Sequence, residues 1–279
     1  MISRFAPSPT GRLHLGHAYS AVIGHGRARE NGGRFLLRIE DLDPTRSRPE
    51  FVRGIVEDLH WLGLGWDEQP LVQSKRAPVY AEALEQLKIR GLVYPCFCTR
   101  ADIAAALSAP HGATVAYPGT CRDLPLDPGH LAERPHSWRL DSVKALAIAG
   151  LPSWSEGDRR FIATAGDVHD EILTRKNAPA SYHLACVIDD AASAVTLVVR
   201  GVDLRPSTPI QRVLQALLGL PEPAYLHHPL ITHSDGHRLA KRDLAPTLAA
   251  MREAGVDGRA LARDLATGSV PSGFRLQHA

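Results

Sequence analysis

Arg4-Phe5-Ala6-Pro7-Ser8-Pro9-Thr10-Gly11-Arg12-Leu13-His14-Leu15-Gly16-His17 is the stretch whose reading decides the fold. A strand-like segment at residues 2–6 runs into a Pro/Gly turn and then a helical stretch over about 15–30, and the apolar run 34–39 follows. This is a βαβ unit, the seed of a parallel sheet with helices on its faces. The turn aims backbone N–H groups and imidazoles at one point. That point suits a phosphate, because a helix N-terminus offers unpaired donors and a favourable dipole, and His14 and His17 add further donors. Gly16 lets an adenine ring approach the backbone. On these residues alone, a helical metal pair at i and i+3 and two surface histidines without a role stay open. No G-x-x-x-x-G-K-[ST] is present, and Gly24-His25-Gly26 lacks the third glycine of a dinucleotide fingerprint.

Outward from this unit, residues 41–49 are turn-rich. A helical pattern follows in which Val52, Ile55, Val56, Leu59 and Leu62 share one side, with Pro49 in its first turn. From 94 to 155 the periodicity breaks up, which predicts an insertion with short elements. Beyond it, 182–188 and 194–200 read as strands, 208–218 as a helix and 229–233 as a short strand, so the α/β layer resumes. The tail over 244–265 is alanine-rich with helical spacing, and roughly the final dozen residues lose all pattern and are expected to be disordered. The expected division is 1–93 and 156–247 for two halves of a catalytic domain, 94–155 for the insertion and 248–279 for a helical tail.

The 279 residues, 44% of them hydrophobic and 22% charged, allow a full core: one large domain, or one carrying a sizeable insertion. A formal charge of +2 is too small to imply nucleic-acid binding by itself, so an RNA partner has to be argued from motifs. The chain shows no basic start with an apolar stretch behind it and no run of membrane-spanning length, and it reads as cytoplasmic. Four cysteines are too few for a disulfide scaffold. Cys96, Cys98 and Cys121 supply thiolates, the ligands zinc prefers, and with a fourth donor they would close a tetrahedral site; free thiols remain the alternative. Cys186, in an apolar run, reads as core.

A second cluster, His237-Arg238-Leu239-Ala240-Lys241-Arg242, follows the turn Ser234-Asp235-Gly236-His237. A basic loop with one mid-loop lysine is suited to closing over a triphosphate as charge builds at the α-phosphorus, although taken alone it is also an ordinary solvated loop.

Together the two clusters resemble the HIGH and KMSKS signatures of class I aminoacyl-tRNA synthetases, as His14-Leu15-Gly16-His17 and Arg238-Leu239-Ala240-Lys241-Arg242. The second keeps the lysine and an apolar residue but replaces the first lysine by arginine, the middle serine by alanine and the last serine by arginine. This predicts weaker loop closure. Residues 4–11, Phe35-Leu36-Leu37-Arg38-Ile39-Glu40-Asp41-Leu42-Asp43, Ser181-Tyr182-His183-Leu184-Ala185 and Val199-Arg200-Gly201-Val202-Asp203-Leu204 narrow the resemblance to the glutamate branch, over residues 1–247.

The resemblance implies a Rossmann-like parallel-sheet α/β catalytic domain, and glutamate bound through Arg4, Phe5, Ala6, Pro7, Ser8, Glu40, Tyr182 and Arg200. It implies ATP with Mg²⁺ held by His14, Gly16, His17, Arg238, Leu239 and Lys241, with His14, His17 and Lys241 catalytic. The chemistry agrees: telling a γ-carboxylate from an amide calls for guanidinium groups and a phenol, and Glu40 suits the α-ammonium. The insertion resembles that of glutamyl-queuosine tRNA(Asp) synthetases, whose C-x-C and Y-x-x-x-C make Cys96, Cys98, Tyr117 and Cys121 the ligands of one structural zinc ion.

Full-length glutamyl-tRNA synthetases continue well past this loop into anticodon-reading domains, which are not expected here. The resemblance therefore implies tRNA-independent glutamate activation, transfer to queuosine at the wobble position of tRNA(Asp), and a monomer. Three other readings share these residues: a compact enzyme charging a tRNA 3′ end, a ligase acting on a small metabolite, and a catalytically silent paralogue that binds glutamate or RNA.

Overall fold

The computed structural model describes residues 1–99, 101–103, 117–125, 127–237, 239 and 246–278. Strand β1 (Ile2–Phe5), helix α1 (Leu15–Glu30) and strand β2 (Arg34–Ile39) form the expected unit, with Ile2 to Phe5 in parallel register against Arg34 to Leu37. Helix α1 starts where it does because the His14 ring accepts the Gly16 amide and the His17 ring accepts the His14 amide, a capping box built from two imidazoles. Helix α2 (Pro49–Trp61) begins at proline, whose missing N–H needs no partner there, and buries Ile55 and Leu59 beside Val22, Phe35 and Leu37. Strand β3 (Leu71–Val72) pairs in parallel with β2, and helix α3 (Ala77–Ile89) leads to β4 (Val93–Cys96).

The middle of the chain supplies helix α4 (Pro128–Glu133), β5 (Ser137–Leu140), helix α5 (Ser142–Ala149), β6 (Ser153–Glu156), β7 (Arg159–Ile162) and β8 (Ile172–Thr174). Strands β4, β5 and β8 make a small antiparallel sheet, while β6 turns back on β7. Next come helix α6 (Tyr182–Ala192), β9 (Leu197–Gly201), helix α7 (Thr208–Leu218), β10 (Ala224–His228) and β11 (Leu230–His233). Helices α8 (Leu248–Glu253) and α9 (Gly258–Ala266) and strand β12 (Phe274–Gln277) complete the described chain. Strand β10 pairs in parallel with both β9 and β6. Strand β9 lies alongside β1 without a continuous ladder: the Thr196 amide donates to the Ile2 carbonyl at 2.9 Å, and the Arg4 Nη1 donates to the Val199 carbonyl at 3.4 Å. Two sheets, β3-β2-β1 and β9-β10-β6-β7, thus lie side by side with β1 next to β9. Among the described residues no helix is long and apolar enough to cross a membrane.

Three expectations are corrected. Residues 182–188 are helix, not strand: Ser181 caps the Leu184 amide, and Leu184, Ala185, Cys186, Val187 and Ile188 are all buried, so a helix covered on every side presents the unbroken apolar run of a buried strand. Cys186 is core as expected, but on this helix. The next strand starts at Leu197 rather than 194, because Ala194, at φ 50°, still belongs to the turn after α6. The final residues are not patternless: β12 pairs antiparallel with β11, from Leu230 against Gln277 to His233 against Phe274. The alanine-rich tail divides into two helices at Gly255, whose φ of 81° suits glycine.

A buried carboxylate ties the first sheet strands to α6. The Arg4 Nε and Nη2 donate to Asp190 Oδ1 and Oδ2 at 2.9 and 3.2 Å, Arg38 Nη1 donates to the same Oδ1, and Arg38 Nη2 donates to Glu40 Oε1 at 3.0 Å. Burial works to raise the Asp190 pKa, but the Arg38 and Arg4 charges outweigh it and hold the carboxyl well below the usual range. With the folded-state pKa depressed, this stabilisation is full above the unfolded carboxylate range and is lost as pH falls through the depressed value. Asp190→Ala leaves two guanidinium groups buried without this counter-charge, so urea unfolding at neutral pH should show a loss of about 3–5 kcal/mol. A loss under about 1 kcal/mol, the size of a surface pair, would contradict this account.

Candidate active site

A cavity of about 670 Å³ opens at the C-terminal ends of β1 and β9, lined by Arg4, His14, Glu40, Tyr182, Arg200 and their neighbours. From β1 the chain goes on to β2 on one side and from β9 to β10 on the other, so this is the topological switch point where ligands of open α/β sheets bind. The cavity gathers Arg4, Phe5, Ala6, Pro7, Ser8, His14, Gly16, His17, Glu40, Tyr182, Arg200 and Leu239, drawn from five separated motifs. Arg238 and Lys241, like Ala240 and Arg242, lie outside the described residues.

Arg200, on β9 and 4% exposed, is the most informative group in this wall. Its Nε donates to His227 Nε2 at 3.1 Å, its Nη1 to Gln211 Oε1 at 2.7 Å and Tyr182 Oη at 3.3 Å, and its Nη2 to Thr208 Oγ1 at 2.8 Å. All these partners are uncharged, and among the described residues no carboxylate pairs with it. The guanidinium is held rigidly yet keeps an uncompensated charge at the cavity wall, an arrangement that favours an anionic ligand group. Tyr182 opens α6; burial pushes its pKa up, so the phenol keeps its proton, and since its oxygen accepts from Arg200 that proton can go to a ligand.

Arg4 stands differently. Two of its three guanidinium nitrogens are engaged by Asp190 and its Nη1 reaches the Val199 carbonyl. Glu40, just past β2, has a side chain 10% exposed and accepts from Arg38 through Oε1. Burial raises its pKa against the opposing pull of Arg38 and Arg4. Its amide donates to the Pro7 carbonyl at 3.1 Å, fixing the loop that carries Ser8. On the other wall, the His14 and His17 ring centroids are 3.9 Å apart. Each ring uses Nδ1 as an acceptor, so each neutral imidazole carries its proton on Nε2. A Cβ on Gly16 would come within 3.1 Å of the His14 ring, a tight contact that would press on the cap.

Apart from this cavity, the Cys96, Cys98 and Cys121 sulfurs lie within 4.8 Å of one another, with Cys98 and Cys121 3.5 Å apart. The Tyr117 Oη is 3.4 Å from Cys96 Sγ and 3.5 Å from Cys98 Sγ, and it accepts the Cys121 amide at 3.0 Å. A tetrahedral ion with metal–sulfur bonds of about 2.3 Å and a metal–oxygen bond of about 2.0 Å would set sulfurs about 3.8 Å apart and the oxygen about 3.5 Å from each sulfur. The donor set fits a thiolate-bound metal ion.

Sequence reasoning missed Asp190, and it missed Thr208, Gln211 and His227 around Arg200. The signal for Thr208 and Gln211 was present: two polar residues at i and i+3 in a helix whose Ile210, Val213, Leu214 and Leu217 mark it as largely buried. For Asp190, two adjacent acids closing an apolar run were the available hint.

The family model for "tRNA synthetases class I (E and Q), catalytic domain" matches residues 1–268. A glutamyl-Q tRNA(Asp) synthetase of Rhodobacter capsulatus is 47% identical, over 91% of this chain and 96% of that protein. One from Symbiobacterium thermophilum is 44% identical, over 95% and 85%. Among solved structures, the glutamate-tRNA synthetase of Elizabethkingia anophelis superposes with a TM-score of 0.82 at 27% identity, over 98% of this chain and 62% of that one. The glutamate tRNA ligase of Elizabethkingia meningosepticum, solved in complex with its amino acid, gives 0.80 at 27%, over 95% and 60%. The chain therefore spans about three fifths of these two solved synthetases but most of the length of the two relatives. The switch-point cavity, the paired histidines that cap α1 and the extent of these matches lead to one assignment: the chain belongs to the class I tRNA synthetases of the E and Q type, within the group of glutamyl-Q tRNA(Asp) synthetases.

Proposed function

We propose that this chain activates L-glutamate with ATP to glutamyl-adenylate, without needing RNA, and transfers the glutamyl group to queuosine at the wobble position of tRNA(Asp). The observation that carries the glutamate half is Arg200, a buried guanidinium whose partners are all uncharged, in one cavity with Glu40 and Tyr182. The γ-carboxylate pairs with Arg200 and accepts the Tyr182 proton, and Glu40 accepts from the α-ammonium, with Arg4, Phe5, Ala6, Pro7 and Ser8 shaping that end of the pocket. Glutamine would leave the Arg200 charge unmatched. The acceptor half rests on the names of the relatives, which are called glutamyl-Q tRNA(Asp) synthetases.

ATP, brought with Mg²⁺, lies along the α1 start, where Gly16 admits the nucleotide and the Nε2–H groups of His14 and His17 face the phosphates. The glutamate α-carboxylate attacks the α-phosphorus, a new P–O bond forms, the bond to the β-phosphate breaks and pyrophosphate leaves. Lys241, with Arg238 and Leu239 of the same motif, is assigned to the charge that builds in that step. A queuosine hydroxyl then attacks the acyl carbon, the anhydride C–O bond breaks, and AMP leaves as the hydroxyl proton is lost. No protein nucleophile is required. As a tRNA-modifying enzyme it would act in the cytoplasm. The cluster of Cys96, Cys98, Tyr117 and Cys121 is assigned to one zinc ion, which would supply a cross-link between β4 and the segment around Cys121.

Purified protein should catalyse glutamate-dependent ATP/pyrophosphate exchange without RNA, and should label tRNA(Asp) with glutamate only when queuosine is present. Equal labelling of queuosine-containing and queuosine-free tRNA(Asp) would sink the proposed acceptor. Metal analysis should find about one zinc per chain, lost in Cys98→Ser together with a lowered thermal midpoint. Full zinc retention by that variant would exclude the cysteine from the ligand set.

A further inference from the structure

We infer that His227 is a positioning residue that holds Arg200 in plane without neutralising it, and thereby sets the preference for a carboxylate over an amide in the cavity. This inference rests on the glutamate reading above. Its basis is a relay across three adjacent parallel strands, β9, β10 and β6. His227 stands opposite Arg200 in the β9–β10 register, and Tyr225 opposite Glu156 in the β10–β6 register. Arg200 Nε donates to His227 Nε2 at 3.1 Å, and His227 Nδ1 lies 2.8 Å from Glu156 Oε1. A guanidinium has donors only, so Nε2 must be the acceptor; a carboxylate accepts, so Nδ1 carries the proton. The neighbours therefore select one neutral tautomer.

The relay keeps the acid one ring away from Arg200. Glu156 is occupied by another cation: Arg205 Nε and Nη2 donate to its two oxygens, each at 3.1 Å, and Trp154 Nε1 donates to Oε1 at 2.7 Å. A carboxylate in the place of His227 would neutralise Arg200 and remove its demand for an anionic ligand; an apolar ring would leave Nε–H buried without an acceptor. The imidazole satisfies the hydrogen bond and leaves the charge. Its side chain is 1% exposed and stacks on Tyr225 with centroids 5.9 Å apart and planes 9° from parallel, which fixes the ring. Burial, followed by the Arg200 charge, outweighs the pull of Glu156 and pushes the His227 pKa down to about 4, consistent with a neutral ring at physiological pH.

The test is ATP/pyrophosphate exchange with KM measured separately for glutamate and ATP, and with glutamine as competing substrate. His227→Phe should raise the glutamate KM about tenfold and narrow the glutamate/glutamine preference while the ATP KM stays within about twofold. His227→Gln, which again offers an acceptor toward Arg200 and a donor toward Glu156, should recover much of the loss. If His227→Phe does not fold, as judged by its melting curve, Glu156→Gln carries the test. Its amide can donate to Nδ1, which reverses the tautomer, turns Nε2–H against Arg200 and should raise the glutamate KM likewise. An unchanged glutamate KM in the folded variant, or equal changes in both KM values without recovery in His227→Gln, would overturn the inference while leaving the glutamate reading intact. Wild-type protein without glutamate-dependent exchange would overturn both.

Discussion

Arg4, Arg38 and Asp190 meet where β1, β2 and α6 come together, and the position of each cavity wall follows from that meeting. Asp190 sits near the end of α6, and with both guanidinium groups on it the helix cannot shift against the two strands without exposing buried charge. The start of the same helix carries Tyr182, the end of β2 leads into Glu40 through the Arg38 contact, and β1 runs into the loop that holds Ser8. One carboxylate therefore sets the distance between three elements whose ends face the cavity. The cost of burying these ions, several kcal/mol each, is offset by mutual pairing.

Arg200 provides the contrast. It is as deeply buried as Arg4, but its partners are a histidine, a glutamine amide, a threonine hydroxyl and a phenol. Neutral acceptors satisfy the geometry of a guanidinium but not its charge, so the charge of Arg4 is matched within the fold while that of Arg200 is not. Both arginines line the cavity, and a sequence shows that each guanidinium is available but not which acid reaches it first.

Much of the first βαβ unit was legible: the strand-like segment at 2–6, the apolar run at 34–39, the turn, the glycine and the two histidines are local signals. What failed did so for physical reasons. A helix buried on all sides has no polar face to reveal its period, and the Ser181 cap, which was visible, went unweighed. Strand β10 was missed because Pro221 and Pro223 lie just before it and two polar histidines, His227 and His228, interrupt any apolar run, although both side chains are buried. Strand β12 has an intermediate and exposed pattern and exists because β11 offers it an edge, a tertiary fact that no local period encodes. The cluster of Cys96, Cys98, Tyr117 and Cys121 was found through likeness, since C-x-C spacing alone left free thiols open.

The central claim is that the Arg200 charge is left for a side-chain carboxylate. Calorimetric binding of L-glutamate and L-glutamine to wild-type protein and to Arg200→Leu tests it most directly. The account predicts that wild type binds glutamate roughly a hundredfold more tightly than glutamine and that Arg200→Leu loses this preference. Equal affinity for both amino acids in wild type, or an undiminished preference in Arg200→Leu, would contradict it.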